Sequence, residues 1–203
     1  MYVLAVTGGI GAGKTTAVER LRSKGAVVIS LDESAKRHLA PGTSVYDAVV
    51  EEFGEGILAE DGRIDTAALA RTAFSSPERA ARLNAIVHPA VVREIAPGLT
   101  EMGLLQNPPR VVVIDVPLLV EAPVFAELVG EVLAISAPEE ERVRRAVARG
   151  MDEDDVRSRM ACQATDEERE AMAGHVIVND GTLEEFQEAV DRFWQEVVEH
   201  GSR

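Results

Sequence analysis

A chain of 203 residues is long enough for one sizeable core with an inserted subdomain and too short for two full domains of ordinary size. Its 21 Lys+Arg stand against 35 Asp+Glu, a formal charge of −14, so nothing in the balance attracts nucleic acid or anionic membranes and an anionic ligand must be held by local design. Hydrophobic residues at 46% and charged residues at 28% are an ordinary globular mix, with no low-complexity tract and no fixed repeat.

The opening "MYVLAVTGG" has no basic leader, and its apolar run is too short for a signal core or a membrane span. The expectation is a soluble cytoplasmic protein without membrane or nucleic-acid partners, and a monomer. The single cysteine, Cys162, excludes an internal disulfide framework and a cysteine metal cluster; it reads as an ordinary small helix residue in a reducing compartment.

The first predicted element is a strand over residues 2 to 6. It runs into "TGGIGAGKTT", where Gly8, Gly13, Lys14 and Thr15 satisfy G-x-x-x-x-G-K-[ST] between an apolar strand and the helical stretch "TTAVERLRSKG". Glycines let the backbone curl round a phosphate with its N–H groups aimed inward, and the helix N-terminus adds partial positive charge. Lys14 has the reach for β- and γ-phosphates, and the Thr15 hydroxyl is a candidate Mg²⁺ ligand. The loop therefore implies a bound nucleoside triphosphate, and leaves open what becomes of its γ-phosphate.

A second strand over 26 to 30 is followed by Asp32. In a parallel sheet ligands bind beyond the carboxyl ends of the strands, so Asp32 belongs to the same crevice as the loop. Two roles stay open there: a base or magnesium ligand, and an N-cap for "ESAKRHLA". About eighty residues, roughly 32 to 110, then separate the second and third strands, too many for one crossover. Periodic segments such as "IDTAALARTAF" and "PERAARLNAIVHPAVVREIA" make this a helical insertion, with room for a second substrate. Pro77 behind Ser76 marks one helix start, and His88 before Pro89 sits at a predicted helix junction, where a structural histidine is the plain reading.

The third strand, 111 to 116, ends in "DVPLLVE". Asp115 is either a Walker-B-like magnesium carboxylate or part of a turn broken by Pro117, with Glu121 a more distant candidate for the same site. After the fourth strand, 131 to 136, "ERVRRAVAR" sets Arg142, Arg145 and Arg149 at i, i+3 and i+7 on one helix face beside Arg144. Such a cluster suits a polyphosphate or, equally, a solvated face pairing with Glu139 to Glu141. Thr165 with Glu168 and Thr182 with Glu185 are capping boxes flanking the last strand, 175 to 179. Short apolar strands alternating with helices define an α/β fold, a three-layer parallel sheet covered on both faces.

Together "TGGIGAGKTT", "VVISLDESAKR", "FGEGILAEDGRIDTAALARTAF", "LNAIVHP", "DVPLLVE", "ERVRRAVARGM", "RMACQAT" and "VNDGT" resemble the dephospho-CoA kinase family, in its order and from about residue 3 to about residue 195. The resemblance implies a P-loop kinase fold of three parts: a nucleotide core of 1–32, 110–137 and 173–203, a CoA-side insertion of about 33–109, and a mobile lid of about 138–172. It implies ATP-dependent phosphorylation of the ribose 3′-hydroxyl of dephospho-CoA, with Mg²⁺ held by Thr15 and Asp115. Asp32 would be the base, Lys14 and Arg145 the phosphate-facing catalytic cations. Gly9, Gly11, Ala12, Gly13, Thr15, Thr16, Arg149 and Asn179 would hold ATP, and His88 and Leu118 would join Asp32 at the acceptor. Arg159 and Gln163 would ride on the lid.

The chain departs from the family pattern at Ser30, where a first acid is common, and at Gly174 and Val178 near the last strand, while Asn179 is kept. Another P-loop kinase, acting on a nucleotide or small metabolite, would share loop, arginines and acid but lack the "LNAIVHP" and "PLLVE" pair. A nucleotide switch would need a guanine-reading N-K-x-D, which the chain does not contain.

Overall fold

Five short runs of Val, Ile, Leu and Ala build five strands, all parallel, in the order β2-β3-β1-β4-β5: β1 (Tyr2–Gly8), β2 (Val27–Ser30), β3 (Val111–Asp115), β4 (Glu131–Ser136) and β5 (His175–Val178). In the computed structural model, which describes the backbone of residues 1–200 and side chains as far as 197, every strand lies within two residues of its predicted span. The core assigned to 173–203 from the sequence thus ends in three residues outside the described ones.

The strands read as continuous apolar runs because both faces are covered. On one face Leu4, Val6, Val111, Val113, Leu133 and Ile135 meet Ala17, Val18 and Leu21 of α1 (Lys14–Ser23) and Phe186, Val190, Phe193 and Val197 of α9 (Leu183–His200). On the other, Ala5, Val112, Ile114 and Ala134 are fully buried. There α8 (Asp166–Met172) packs against β1 and β4. Before α8 come α6 (Glu139–Ala148) and α7 (Glu153–Ala161), joined over Val143, Ala146 and Val156.

The chain divides into two compact units, Met1–Ser30 with the chain from Met102 onward, and Leu31–Glu101. The second is wholly helical apart from a Leu58–Ile64 bridge, with α2 (Leu31–His38), α3 (Ser44–Phe53), α4 (Thr66–Ala73) and α5, whose span Pro77–Gly103 runs just past its end. Local chemistry sets these helices. Thr43 caps α3 through Tyr46 N–H, Asp65 caps α4 through Ala67 and Ala68 N–H, and Ser76 Oγ accepts from Arg79 N–H at the start of α5.

One expectation fails here. His88 is not at a helix junction, because α5 runs unbroken through Pro89 and Pro97. Each proline removes one helical hydrogen bond, but Val87, Ala90, Val91, Ile95 and Leu99 bury a stripe on both sides of Pro89, and that packing outweighs the loss. Among the described residues no helix is long and apolar enough to cross a membrane.

Candidate active site

β1 ends at Gly8 and α1 begins at Lys14, so the five residues between them form the loop. Gly11 and Gly13 have φ of +75° and +106°, conformations that side chains resist, and Ala12 N–H closes the turn on the Gly9 carbonyl at 3.1 Å. Gly9 is required by packing. The place a Cβ would take lies against the Arg142 guanidinium and 3.0 Å from Arg169 Nη1.

Lys14 Nζ donates to Asp115 Oδ1, and the pair is only partly exposed. The turn reading of Asp115 thus gives way to a carboxylate that faces the loop lysine. Thr15 is exposed on the first turn of α1, and Thr16 beside it is half-buried. Ser30, the last residue of β2, is in register with Asp115, and Asp32 follows it by two residues. Asp32 is exposed in the first turn of α2, one residue inside the helix; the N-cap reading fails because α2 already starts at Leu31.

Behind the loop, Asn179 is buried at the end of β5. Its Nδ2 donates to Ala12 O at 2.8 Å, its own N–H to Ser136 O at 2.8 Å, and its carbonyl accepts from Arg145 Nη1 at 3.1 Å. It ties the loop, β4 and α6 together. The loop tip is gripped three ways by the segment after β4. Ile10 N–H donates to Gln163 Oε1 at 3.2 Å, Arg142 Nε donates to Ile10 O at 3.0 Å, and the Ile10 side chain packs on Val143, Ala146 and Val156.

The arginines of α6 do not share one task. Arg142 is buried on Asp166 and Ile10, Arg144 pairs with Glu141 in water, Arg145 bonds Asn179, and Arg149 is an exposed C-cap. The Arg144 hydrogen bond holds the Glu141 carboxyl below its usual range. A single arginine face is therefore not what the structure builds, because Asp166 draws Arg142 inward. Arg159 is paired with Asp155 at 3.0 Å on α7. Glu121, the more distant magnesium candidate, instead accepts from Ala164 N–H at 2.8 Å, ahead of the Thr165–Glu168 box that opens α8. Cys162 is an exposed C-cap of α7.

Leu118 is 36% exposed on the turn after β3, and His88 is half-buried on α5 in the other unit, where burial lowers its pKa and favours the neutral ring. Of the departures, Gly174 has a packing reason: the Glu131 carboxylate fills the space that a side chain at 174 would need. Val178 is exposed at the end of β5, and its type is not explained by any contact.

Residues 2–185 match the family described as dephospho-CoA kinase. The chain belongs to the dephospho-CoA kinase family. A Streptomyces avermitilis protein named dephospho-CoA kinase is 42% identical over 201 residues, covering 98% of this chain and 95% of its own. TT1252 from Thermus thermophilus is similar in structure with a TM-score of 0.78 at 36% identity, over 96% of this chain and 97% of the other. The dephospho-CoA kinase from Campylobacter jejuni has a TM-score of 0.71 at 22% identity, over 98% of both chains, and supports the fold alone.

In this member of the dephospho-CoA kinase family, sequence reasoning overlooked three residues beside the loop: Ile10, Asp166 and Arg169. Ile10 is the one large apolar side chain within "GGIGAGK", a usable signal. Asp166 and Arg169 are hidden inside an acidic helix whose capping box was the visible feature.

Proposed function

We propose that the chain transfers the γ-phosphoryl group of ATP to the 3′-hydroxyl of dephospho-CoA, giving coenzyme A and ADP in the last step of coenzyme A biosynthesis. The match of residues 2–185 to the dephospho-CoA kinase family carries this reading, and a loop with Lys14 poised on Asp115 supports it.

The loop N–H groups and Lys14 receive the triphosphate. Phosphate oxygens compete with Asp115 for the Lys14 ammonium, so nucleotide binding would release the Asp115 carboxylate. That carboxylate and the exposed Thr15 hydroxyl are hard oxygen donors that fit Mg²⁺. When bound, Mg²⁺ neutralises charge on the phosphoryl group in transfer.

Asp32 accepts the proton of the attacking 3′-hydroxyl, a role taken from the resemblance and consistent with its exposure two residues beyond β2. Arg145, held by the Asn179 carbonyl, faces the phosphates from α6, and Asn179 fixes the far wall of the loop. Arg149 lies at the end of the same helix. Residues 31–101, including His88, hold the CoA side, with Leu118 at its edge, and 138–172 act as the lid. The enzyme works in the cytoplasm as a monomer.

The test is ADP release with dephospho-CoA, with nucleoside monophosphates, and with no acceptor. Release only with dephospho-CoA is the expected result, and equal release in all three overturns the proposal.

A further inference from the structure

Two arginines and one carboxylate lie under the phosphate loop. Arg142 Nη1 meets Asp166 Oδ2 at 2.8 Å, and Arg169 Nη1 meets Asp166 Oδ1 at 2.9 Å. Asp166 is the one acidic partner of either guanidinium among the described residues, so the group carries one positive charge in excess. That excess is out of water: the side chains of Arg142 and Arg169 are 7% and 2% exposed. Arg169 Nε and Nη2 are buried and make no hydrogen bond. Both guanidiniums abut Gly9, the residue that closes the loop turn.

A buried cation with two idle donors is a poor way to stabilise a fold, since the desolvation cost of the second arginine is not offset by a second carboxylate. The charge of Arg169 does suit one thing: an anion seated on the far side of Gly9, where a low-dielectric setting transmits the field of a fixed cation better than water does.

We propose that Arg169 is a positioning residue for the donor, one of two buried guanidiniums sharing a single carboxylate, whose excess positive field holds the triphosphate in the loop and whose burial is relieved when the nucleotide binds. The inference rests on the reading that the loop of residues 8–15 takes the phosphates of ATP. Asp166 sets its strength, because one carboxylate shared by two arginines holds both guanidiniums in place and cancels only one. A chain of charge −14 thereby keeps a local cation under the loop, screened from solvent counter-ions.

The test compares wild type, Arg169→Met, Arg169→Lys and Asp166→Asn by melting temperature with and without inorganic pyrophosphate or ATP, and by steady-state kinetics. Arg169→Met is expected to raise KM for ATP about tenfold, the effect of one unit charge at roughly 10 Å in an intermediate dielectric. Its KM for dephospho-CoA should stay within about threefold of wild type, and its melting temperature without nucleotide should not fall. Arg169→Lys, which keeps the charge, should recover most of the ATP affinity.

Asp166→Asn leaves two unopposed cations. It is expected to melt lower than wild type without ligand and to gain a larger upward shift from pyrophosphate. An unchanged or smaller shift in Asp166→Asn overturns the inference, even where Arg169→Met does not fold, and so does a lysine variant as impaired as the methionine one. If wild type itself gains no stability from pyrophosphate or ATP, the reading of the loop fails and takes the inference with it. A normal wild-type response with an unmoved ATP KM in Arg169→Met refutes the inference alone.

Discussion

The phosphate loop and the helical unit of residues 31–101 are held by opposite means. The loop is short and turns at two glycines of positive φ, and its partners come from far along the chain: Arg142, Gln163 and Asn179 are 132, 153 and 167 residues from the loop residues they bond. In the helical unit local caps at Thr43, Asp65 and Ser76 set the helices, and ties such as Glu94 with Ser34 and Arg37, Arg82 with Glu52, and Tyr46 with the Gly62 carbonyl, all within 60 residues, join them. Burial alone would raise the Glu94 carboxyl, but hydrogen bonds from Ser34 Oγ and Arg37 outweigh it and hold the group low. A site that binds a polyanion needs its backbone N–H groups held in one concave shape, and here long-range contacts hold it. The acceptor-side role proposed for residues 31–101 asks only for correctly placed helices.

That contrast predicts where substitutions act on chemistry and where on architecture. The largest effect belongs to Asp32→Asn. The side chain is exposed and bonds nothing that the fold needs, so melting temperature should be unchanged while kcat falls by about 10²- to 10⁴-fold with KM for ATP intact. Near wild-type turnover would remove Asp32 from the chemistry and leave the helical unit as scaffold only.

Next comes Ile10→Ala. It keeps the backbone bonds to Gln163 and Arg142 and deletes only the contact with Val143, Ala146 and Val156. Loss of a half-buried isoleucine should cost about 1 to 2 kcal/mol, lowering the melting temperature by roughly 2 to 8 °C. KM for ATP should rise with it, because the loop tip and the helices after β4 are one packed body. If stability falls and ATP KM does not move, the grip on the loop is structural only and the contrast with the helical unit narrows.

The two regions were also unequally legible. The loop announced itself through Gly8, Gly13, Lys14 and Thr15, whose spacing encodes the turn. What braces it was not visible, because Arg142 and Asp166 are 24 residues apart and nothing local distinguishes an arginine turned inward from the exposed Arg144 two positions on. All five strands were readable from their apolar runs, since a sheet buried on both faces needs no alternation. In the helical unit the helix start at Ser76 and Pro77 is local and legible. The continuity of α5 through Pro89 is not, because it depends on a buried stripe whose partners the chain reveals only when folded.

The smallest expected effect lies at the edge of the loop's support, where α1 meets α9. Asp191 accepts from Arg20 Nε and Nη2, both at 2.7 Å, and from Lys24 Nζ at 2.8 Å. The Arg20 hydrogen bonds, with help from Lys24, outweigh the opposing effect of burial and hold its carboxyl down to about 2. A carboxyl lowered in the folded state stabilises wherever it is ionised, fully above its ordinary value near 4, and that contribution drains away as pH falls from about 4 through about 2. Water screens all three side chains in part, so Asp191→Asn should cost only about 1 kcal/mol at neutral pH, roughly 2 to 4 °C in melting temperature. The gap between variant and wild type should then close as denaturation is followed downward from pH 4. A gap that persists at low pH would mean that Asp191 contributes by shape, and that the helix leading out of the loop is seated by its apolar face on Phe186, Val190 and Phe193 without help from charge.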